Sequence, residues 1–263
     1  MNKALFFFTI LFLSGCSLSR LQLLEKAKKN GAAHGMTEKI YHTKNFEIFT
    51  LQKITDPKKP LRIYIEGDGR AYVTRYQPAL DPTPTSGFLL NLVMQDNAPN
   101  LLYIARPCQF VESKNCEEKY WTDQRFSSEA ISAIAEVIDN FAAKKIELVG
   151  YSGGAMLALH LPQKNILNLR TIAGNLDLEK FVAIHKISTL STPDIDYNFF
   201  AKIPQIHFVG SADEVIPYEI FDAYRKKNPR QNCLKLKIVN GATHNQNWPN
   251  DWQKFLAEKP SCS

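Results

Sequence analysis

The sequence lacks several features that would assign a protein to a narrow class. Its 263 residues contain no internal repeat, which argues against solenoids and propellers. There is no Cys-x-x-Cys motif and no closely spaced pair of histidines, so a zinc site is disfavoured. The 32 Lys and Arg are spread along the chain and the net charge is only +6, so no nucleic-acid partner is expected. No apolar run approaches the roughly 20 residues needed to span a bilayer.

The composition that remains is typical of a globular chain. Hydrophobic residues make up 44% of the sequence and charged residues 22%, which excludes a disordered protein. Apolar segments of strand length alternate with segments of helical periodicity. This alternation predicts an α/β fold, with a mainly parallel sheet and helices on both faces. The predicted strands are 45–51, 61–65, 101–105, 146–149, 169–173, 206–209 and 234–239, and the predicted helices are 153–161, 215–227, 250–256 and one that begins after Ser127.

The first residues have the pattern of an export signal. Lys3 precedes an apolar run at 4–13, which is followed by Leu13-Ser14-Gly15-Cys16. This motif resembles the lipobox of bacterial lipoproteins. The resemblance implies that a signal peptide, residues 1–15, is removed and that Cys16 is acylated with fatty acids such as palmitate. It implies a lipid-anchored membrane protein of the cell envelope that faces the periplasm or the cell exterior. The alternative is an ordinary secreted protein with a chance cysteine at the cleavage site.

The segment after the lipobox is polar and rich in lysine. We predict that residues 16–37 form a lipidated N-terminus and a tether with a short helix, and that residues 38–263 form one domain. Four cysteines remain once Cys16 is set aside, an even number in a compartment that permits disulfides. Cys108 with Cys116 would close a short loop, and Cys233 with Cys262 would tie the chain end to the last strand. Four cysteines allow three pairings, and free buried thiols are the alternative.

A nucleophile motif follows the strand 146–149. Gly150-Tyr151-Ser152-Gly153-Gly154 is a G-x-S-x-G sequence with a strand before it and a predicted helix after it. This context predicts that Ser152 is exposed on a sharp turn as a nucleophile. The alternative is a glycine-rich turn with an idle serine.

A serine nucleophile needs a base and an orienting carboxylate. His244 lies in a polar loop after the last strand, at the same sheet edge as Ser152, and is the predicted base. His207 lies inside a strand and is predicted to be a packed core residue. Asp213 follows strand 206–209 and is the predicted orienting group, with a helix N-cap as its other role. The remaining candidates for this role are Glu214 and, more weakly, Asp177.

The oxyanion of an acyl-transfer site needs two backbone donors. One predicted donor is the amide of Gly153. The other comes from the loop after strand 61–65, where we favour Asp68 and keep Gly67 and Gly69 as alternatives. The carboxylates of this loop either repel anionic substrates or pair with Arg70 or Arg106.

These motifs carry a family resemblance. The order Ser152, Asp213, His244 and the glycine loop at 66–69 resemble the α/β-hydrolase superfamily over residues 61–256. The chain also resembles a set of poorly characterised bacterial hydrolases that share Ala-Arg-Pro-Cys-Gln at 105–109, Tyr-Trp-Thr at 120–122, Arg-Phe-Ser at 125–127 and Ala-Gly-Asn-Leu-Asp at 173–177.

The resemblance implies an α/β-hydrolase fold and a serine hydrolase of the carboxylesterase type. It implies a small-molecule or lipid-like ester substrate, with no cofactor and no metal. The alternatives are a non-catalytic lipoprotein of the same fold, an acyltransferase and a peptidase.

The loops that follow the strands indicate what kind of substrate to expect. Phe110, Tyr120 and Trp121 either shape an acyl pocket or pack a cap held by a disulfide. The segment 71–97 is rich in proline and polar residues, and no large apolar lid is evident. A soluble or modest ester is therefore expected.

Overall fold

The central sheet is built from eight strands in the part of the chain that the structure describes. The structure is a computed structural model, and it describes residues 18–143, 145–161 and 165–262. The strands lie side by side in the order β1-β2-β4-β3-β5-β6-β7-β8. Strands β3 to β8 run parallel to one another, and β2 is antiparallel to both β1 and β4. The strands are β1 Thr37–His42, β2 Glu47–Ile54, β3 Leu61–Ile65, β4 Asn100–Ile104, β5 Ile146–Tyr151, β6 Ile166–Ile172, β7 Gln205–Gly210 and β8 Leu234–Val239.

Helices cover both faces of the sheet, as predicted. Along the chain they are α1 Arg20–Ala33, α2 Phe88–Met94, α3 Ser128–Asp139, α4 Gly153–Ala158, α5 Leu178–His185, α6 Tyr197–Phe200, α7 Tyr218–Lys227 and α8 Trp252–Ala257, with short 3₁₀ helices at Glu118–Trp121 and Gln231–Cys233. Helices α1, α2 and α8 share one hydrophobic cluster, and α3, α4, α5 and α7 share another. Neighbouring residues of a strand divide between the two clusters: Ile63 belongs to one and Tyr64 to the other. The buried strands are apolar on both faces for this reason.

The predicted start of α3 is confirmed. Ser127 is the N-cap residue, and its side chain accepts a hydrogen bond from the amide of Ala130. Ile131, Ile134 and Val137 are buried at helical spacing behind it.

The segment before β1 contains the short helix that the sequence predicts, and this helix packs on the sheet. Residues 20–33 form helix α1, which starts with a capping box at Ser19 and Gln22. The helix buries Leu23, Ala27 and Gly31, and Gly31 packs directly on Leu51 of β2. Its apolar positions are too few and too interrupted by lysine to reveal a packed helix in the sequence.

Strand β1 is absent from the sequence prediction. It is an edge strand, and only Tyr41 of its six residues is buried. Residues 37–42 therefore lack the apolar pattern by which strands are recognised. No helix of the described residues is long and apolar enough to cross a membrane. The predicted signal peptide and Cys16 lie outside the described residues.

Candidate active site

A strained serine lies between β5 and α4. Ser152 has φ 49° and ψ −122°, a backbone conformation that non-glycine residues rarely adopt. Its amide donates to the carbonyl of Ile172 at 3.0 Å, and its carbonyl accepts from the amides of Ala155 and Asn175 at 3.1 and 2.9 Å. These bonds hold the turn, and Asn175 lies in the Ala-Gly-Asn-Leu-Asp motif at 173–177.

The structure brings Ser152, His244 and Asp213 together. Nε2 of His244 lies 3.0 Å from Oγ of Ser152, and Nδ1 lies 3.0 Å from Oδ2 of Asp213. The carboxylate of Asp213 is buried, and its other oxygen accepts hydrogen bonds from the amides of Val215 and Ile216. Asp213 is thereby held in one orientation, with one oxygen left for His244. Its catalytic role and those of Ser152 and His244 stay predictions.

The alternative carboxylates are placed elsewhere. Glu214 is exposed. Asp177 caps α5 by accepting from the amide of Lys180 at 2.8 Å, and it pairs with Lys227 at 2.9 Å. The N-cap of α7 is Pro217, so Asp213 does not cap that helix itself.

His207 is a packed core residue, as predicted. It is buried in β7 and hydrogen-bonded to the side chains of Thr171 and Gln205 at 2.8 and 3.1 Å. Burial lowers the pKa of His207 to about 3, so its imidazole is neutral at pH 7.

The loop after β3 approaches the serine closely. A Cβ added at Gly67 would lie only 3.0 Å from Cβ of Ser152. The amide of Gly67 is not a free donor, because it donates to the carboxylate of Glu66 at 3.0 Å. No described residue accepts from the amides of Asp68 and Gly153. Asp68 and Gly153 stay the predicted oxyanion donors, and the amide of Gly67 is engaged by Glu66.

The side chain of Asp68 is held by two buried arginines. Arg106 pairs with one carboxylate oxygen, and Nε of Arg125 lies 3.0 Å from the other. Both guanidinium groups also stack on the ring of Phe126. The carboxylate lies against Gly153. Burial alone would raise the pKa of Asp68, but Arg125 and Arg106 hold it below its ordinary value. Of the two arginines expected to pair with this loop, Arg70 and Arg106, it is Arg106 that pairs with Asp68. The role of Arg125 could not be predicted, because its pairing with residue 68 is long-range.

The first carboxylate of this loop has a different environment. Glu66 is buried, and it accepts hydrogen bonds from the Tyr103 hydroxyl at 2.7 Å and from the amide of Gly67. Burial raises the pKa of Glu66 to about 7, although these hydrogen bonds and the charge of Arg106 oppose the shift.

Glu66→Gln should therefore make stability less sensitive to pH. The folded pKa of Glu66 lies above its ordinary value near 4.5. As pH rises, the unfolded chain loses this proton first, so stability falls between about pH 4.5 and 7. We expect the variant to match the wild type at pH 4 and to be more stable by roughly 3 kcal/mol at pH 8. Denaturant unfolding across this range measures the difference. The exposed Glu219→Gln is the control for charge removal, and parallel curves for Glu66→Gln and wild type would contradict the prediction.

The aromatic residues around the site divide into two groups. The ring of Tyr151 lies 5.3 Å from the His244 imidazole and 4.9 Å from Phe88, which in turn lies 5.8 Å from Trp248. These rings adjoin the base. Nothing in the local sequence pattern identifies Trp248 as a residue of the site.

The second aromatic group packs a cap rather than a pocket. Phe110 lies 5.0 Å from Phe49 of β2, and Tyr120 lies 4.8 Å from Phe46, the residue before β2. The indole of Trp121 donates to the carbonyl of Ala79. This favours the packed cap over the acyl pocket. Two cysteine pairs lie at disulfide distance within the described residues: Cys108 with Cys116, in this cap, and Cys233 with Cys262.

The comparisons with known proteins bear on the fold. No protein-family model and no curated protein matches the chain. Among solved structures, a bacterial membrane phospholipase A, described as a virulence factor, is 13% identical with a TM-score of 0.60, over 90% of each chain. Est1E from Butyrivibrio proteoclasticus, with ferulic acid bound, is 15% identical with a TM-score of 0.57, over 83% of this chain and 98% of that one. Mouse α/β hydrolase domain-containing protein 10 is 13% identical with a TM-score of 0.56, over 84% of this chain and 96% of that one. The sheet order, the helices on both faces and these structural similarities together show that the chain has the α/β-hydrolase fold.

Proposed function

We propose that this protein is a serine hydrolase that cleaves carboxylic esters. The observation that carries the proposal is the pair of 3.0 Å contacts that join Ser152 to His244 and His244 to Asp213. The strained backbone of Ser152 supports it, because such strain is retained at functional turns. The similarity to a structure described as a membrane phospholipase A is consistent with it.

The geometry suits a two-step acyl transfer. Oγ of Ser152 attacks the ester carbonyl carbon, and its proton passes to Nε2 of His244. Asp213 keeps the ring oriented and stabilises the imidazolium. The amides of Gly153 and Asp68 stabilise the oxyanion, and collapse of the tetrahedral intermediate expels the alcohol, which takes the proton from His244. Water, activated by His244, then attacks the acyl-enzyme and releases the acid and Ser152.

A fluorophosphonate probe tests this proposal. We expect the protein to take up one probe per chain, with the adduct mapped to Ser152, and to hydrolyse p-nitrophenyl esters of at least one chain length. A heat-denatured sample controls for non-specific labelling. A folded protein that neither labels nor turns over any ester would contradict the proposal, and binding without turnover would favour a non-catalytic lipoprotein.

We also propose that the mature protein is anchored in the cell envelope through acylated Cys16. The Leu13-Ser14-Gly15-Cys16 motif supports this. Cys16→Ala should remove the acylation site, so we expect the protein to leave the membrane fraction, whereas Ser17→Ala should stay in it. Fractionation of cells that express each variant measures the effect. Recovery of Cys16→Ala with the membranes after a carbonate wash would overturn the anchor.

A further inference from the structure

Helix α1 begins at the edge of the sheet that carries the candidate site. Arg20 pairs with Asp81 at 3.2 Å and with Glu112 at 2.7 Å. Asp81 lies in the connection after β3 and Glu112 in the connection after β4, so both follow the carboxyl ends of parallel strands. The helix ends at the opposite edge, where β1 begins with Thr37 paired to Gln52. Cys16 precedes the N-cap by three residues, a reach of about 10 Å.

The exposed apolar side chains are concentrated at the same edge. The described residues expose eleven large apolar side chains, and only three of them lie on strands, namely Ile40, Ile54 and Ile238. Six of the other eight form what we call the apolar rim: Leu18, Leu21, Tyr72, Val73, Tyr76 and Leu80. Single exposed apolar residues are ordinary, but a concentration of them marks an interaction surface.

Four of the six rim residues lie in or directly after a turn in the connection that follows β3. The segment 71–79 folds back on itself through hydrogen bonds from Val73 to Gln77 and from Ala79 to Ala71. This turn leaves Tyr76 83% exposed and Leu80, which follows it, 95% exposed.

Two further contacts link this turn to the loop that carries Asp213. Arg75 donates to the carbonyl of His185, and the His185 ring contacts the carbonyl of Val215 at 2.8 Å. The amide of Val215 in turn donates to Asp213. The remaining exposed apolar residues are Val215, two positions after Asp213, and Tyr218.

We propose that the apolar rim is a membrane-facing surface, so that the active site opens toward the bilayer that holds the anchor and acts on esters presented at that bilayer's surface. This inference rests on the proposed hydrolase function and on the Cys16 anchor. It replaces the sequence-based expectation of a soluble ester, which overlooked that the apolar residues of the segment 71–80 face outward.

A bilayer is the occupant that this geometry favours. With about 10 Å of chain between Cys16 and α1, an acylated protein has no linker long enough to turn this edge away from the lipid. The rim adjoins α1, since Leu21 follows Arg20 and Leu80 precedes Asp81, the residue with which Arg20 pairs. Tyrosine, with an apolar body and a polar tip, is the residue type enriched at membrane interfaces.

Depth-dependent quenching tests the surface in the full, acylated protein. Tyr76→Cys and, as matched control at the opposite sheet edge, Ile54→Cys are each labelled with an environment-sensitive fluorophore in vesicles of phosphatidylethanolamine and phosphatidylglycerol. The four other cysteines are paired, so the new thiol is the one labelled. We expect lipids that carry a shallow quencher to quench the Tyr76 label at least threefold more than the Ile54 label. Equal quenching overturns the proposal. A Tyr76 label shielded from water but not quenched by lipid also overturns it and indicates a second copy or another segment on the rim.

A kinetic comparison tests the consequence for substrates. The double variant Tyr76→Asp/Leu80→Asp should lose at least tenfold of its kcat/KM on p-nitrophenyl palmitate embedded in the same vesicles. Its kcat/KM on water-soluble p-nitrophenyl acetate should stay within twofold of wild type. Ile40→Asp/Ile54→Asp adds the same charges away from the site and should leave both rates unchanged. Equal loss on the two esters overturns the inference. Absence of turnover and of probe labelling in the wild type overturns the proposed function instead, and the quenching result still decides the surface.

Discussion

Ser152→Ala should lower kcat/KM for its best p-nitrophenyl ester by roughly 10⁴-fold or more. The substitution removes the atom that attacks the carbonyl, while the oxyanion donors at Gly153 and Asp68 stay in place. His244→Ala should cost a similar factor, because without a base 3.0 Å away the hydroxyl of Ser152 keeps its proton. The two residues act as a unit, so the double variant should be no slower than the slower single variant. Initial rates at equal concentrations of folded protein measure all three.

Matched controls separate this result from a general loss of structure. Ser128→Ala and His42→Ala change an exposed serine and an exposed histidine away from the site, and we expect wild-type kcat/KM from both. Circular dichroism should show all variants folded. A Ser152→Ala protein that retains a tenth of the wild-type rate would remove the nucleophile from the proposed mechanism. Additive losses in the double variant would show that His244 does not act through Ser152.

Gly154→Ala should both destabilise the fold and slow the reaction. A Cβ at this position would overlap the carbonyl oxygen of Ile65 and lie 2.6 Å from that of Glu66. Both are backbone atoms at the end of β3, so neither can move without displacing the loop that carries Asp68. We expect a loss of roughly 3 kcal/mol in the free energy of unfolding. The rate per probe-labelled site should fall about tenfold or more, because a displaced oxyanion donor weakens transition-state stabilisation.

Gly35→Ala is the control for the glycine substitution. Gly35 has φ 71° and no atom within 4 Å of an added Cβ, so only backbone strain is introduced. This strain should cost about 1 kcal/mol and leave the rate per site unchanged. Denaturant unfolding and active-site titration measure both quantities. If Gly154→Ala were no more destabilising than Gly35→Ala, the close packing of α4 on β3 would be refuted.

The sequence predicts the parallel core of the sheet better than its edge. Strands β3, β5 and β7 fall where apolar runs predict them, because strands buried in an α/β sheet keep long apolar segments. The missed strand β1 and the packing of α1 on the sheet lie at one end of the sheet, and both elements bury few residues. Their stability comes from tertiary contacts, such as that of Gly31 with Leu51, which a local pattern does not encode.

The candidate site likewise contains residues that the sequence predicts and residues that it does not. Ser152, Asp213 and His244 could be predicted because each follows a recognisable strand and parallel strands end at one edge. Arg106 is also indicated by the sequence as a partner of this loop. Arg125 and the ring of Trp248 could not be predicted, because their contacts depend on how distant loops fold over one another. The engaged amide of Gly67 could not be predicted either, because it results from the burial of a single Glu66 oxygen.

The two arginines on Asp68 also indicate which segment of the chain can vary in sequence without displacing Asp68. Arg106 and Arg125 bracket the segment 107–124, and both ends of that segment are fixed to one carboxylate beside Gly153. Insertions or exchanges between them would alter the cap, whereas the carboxylate of Asp68 would keep its place beside Gly153. Changes of length or sequence within residues 107–124 are therefore expected to leave the loop after β3 undisturbed, provided that both arginines are kept.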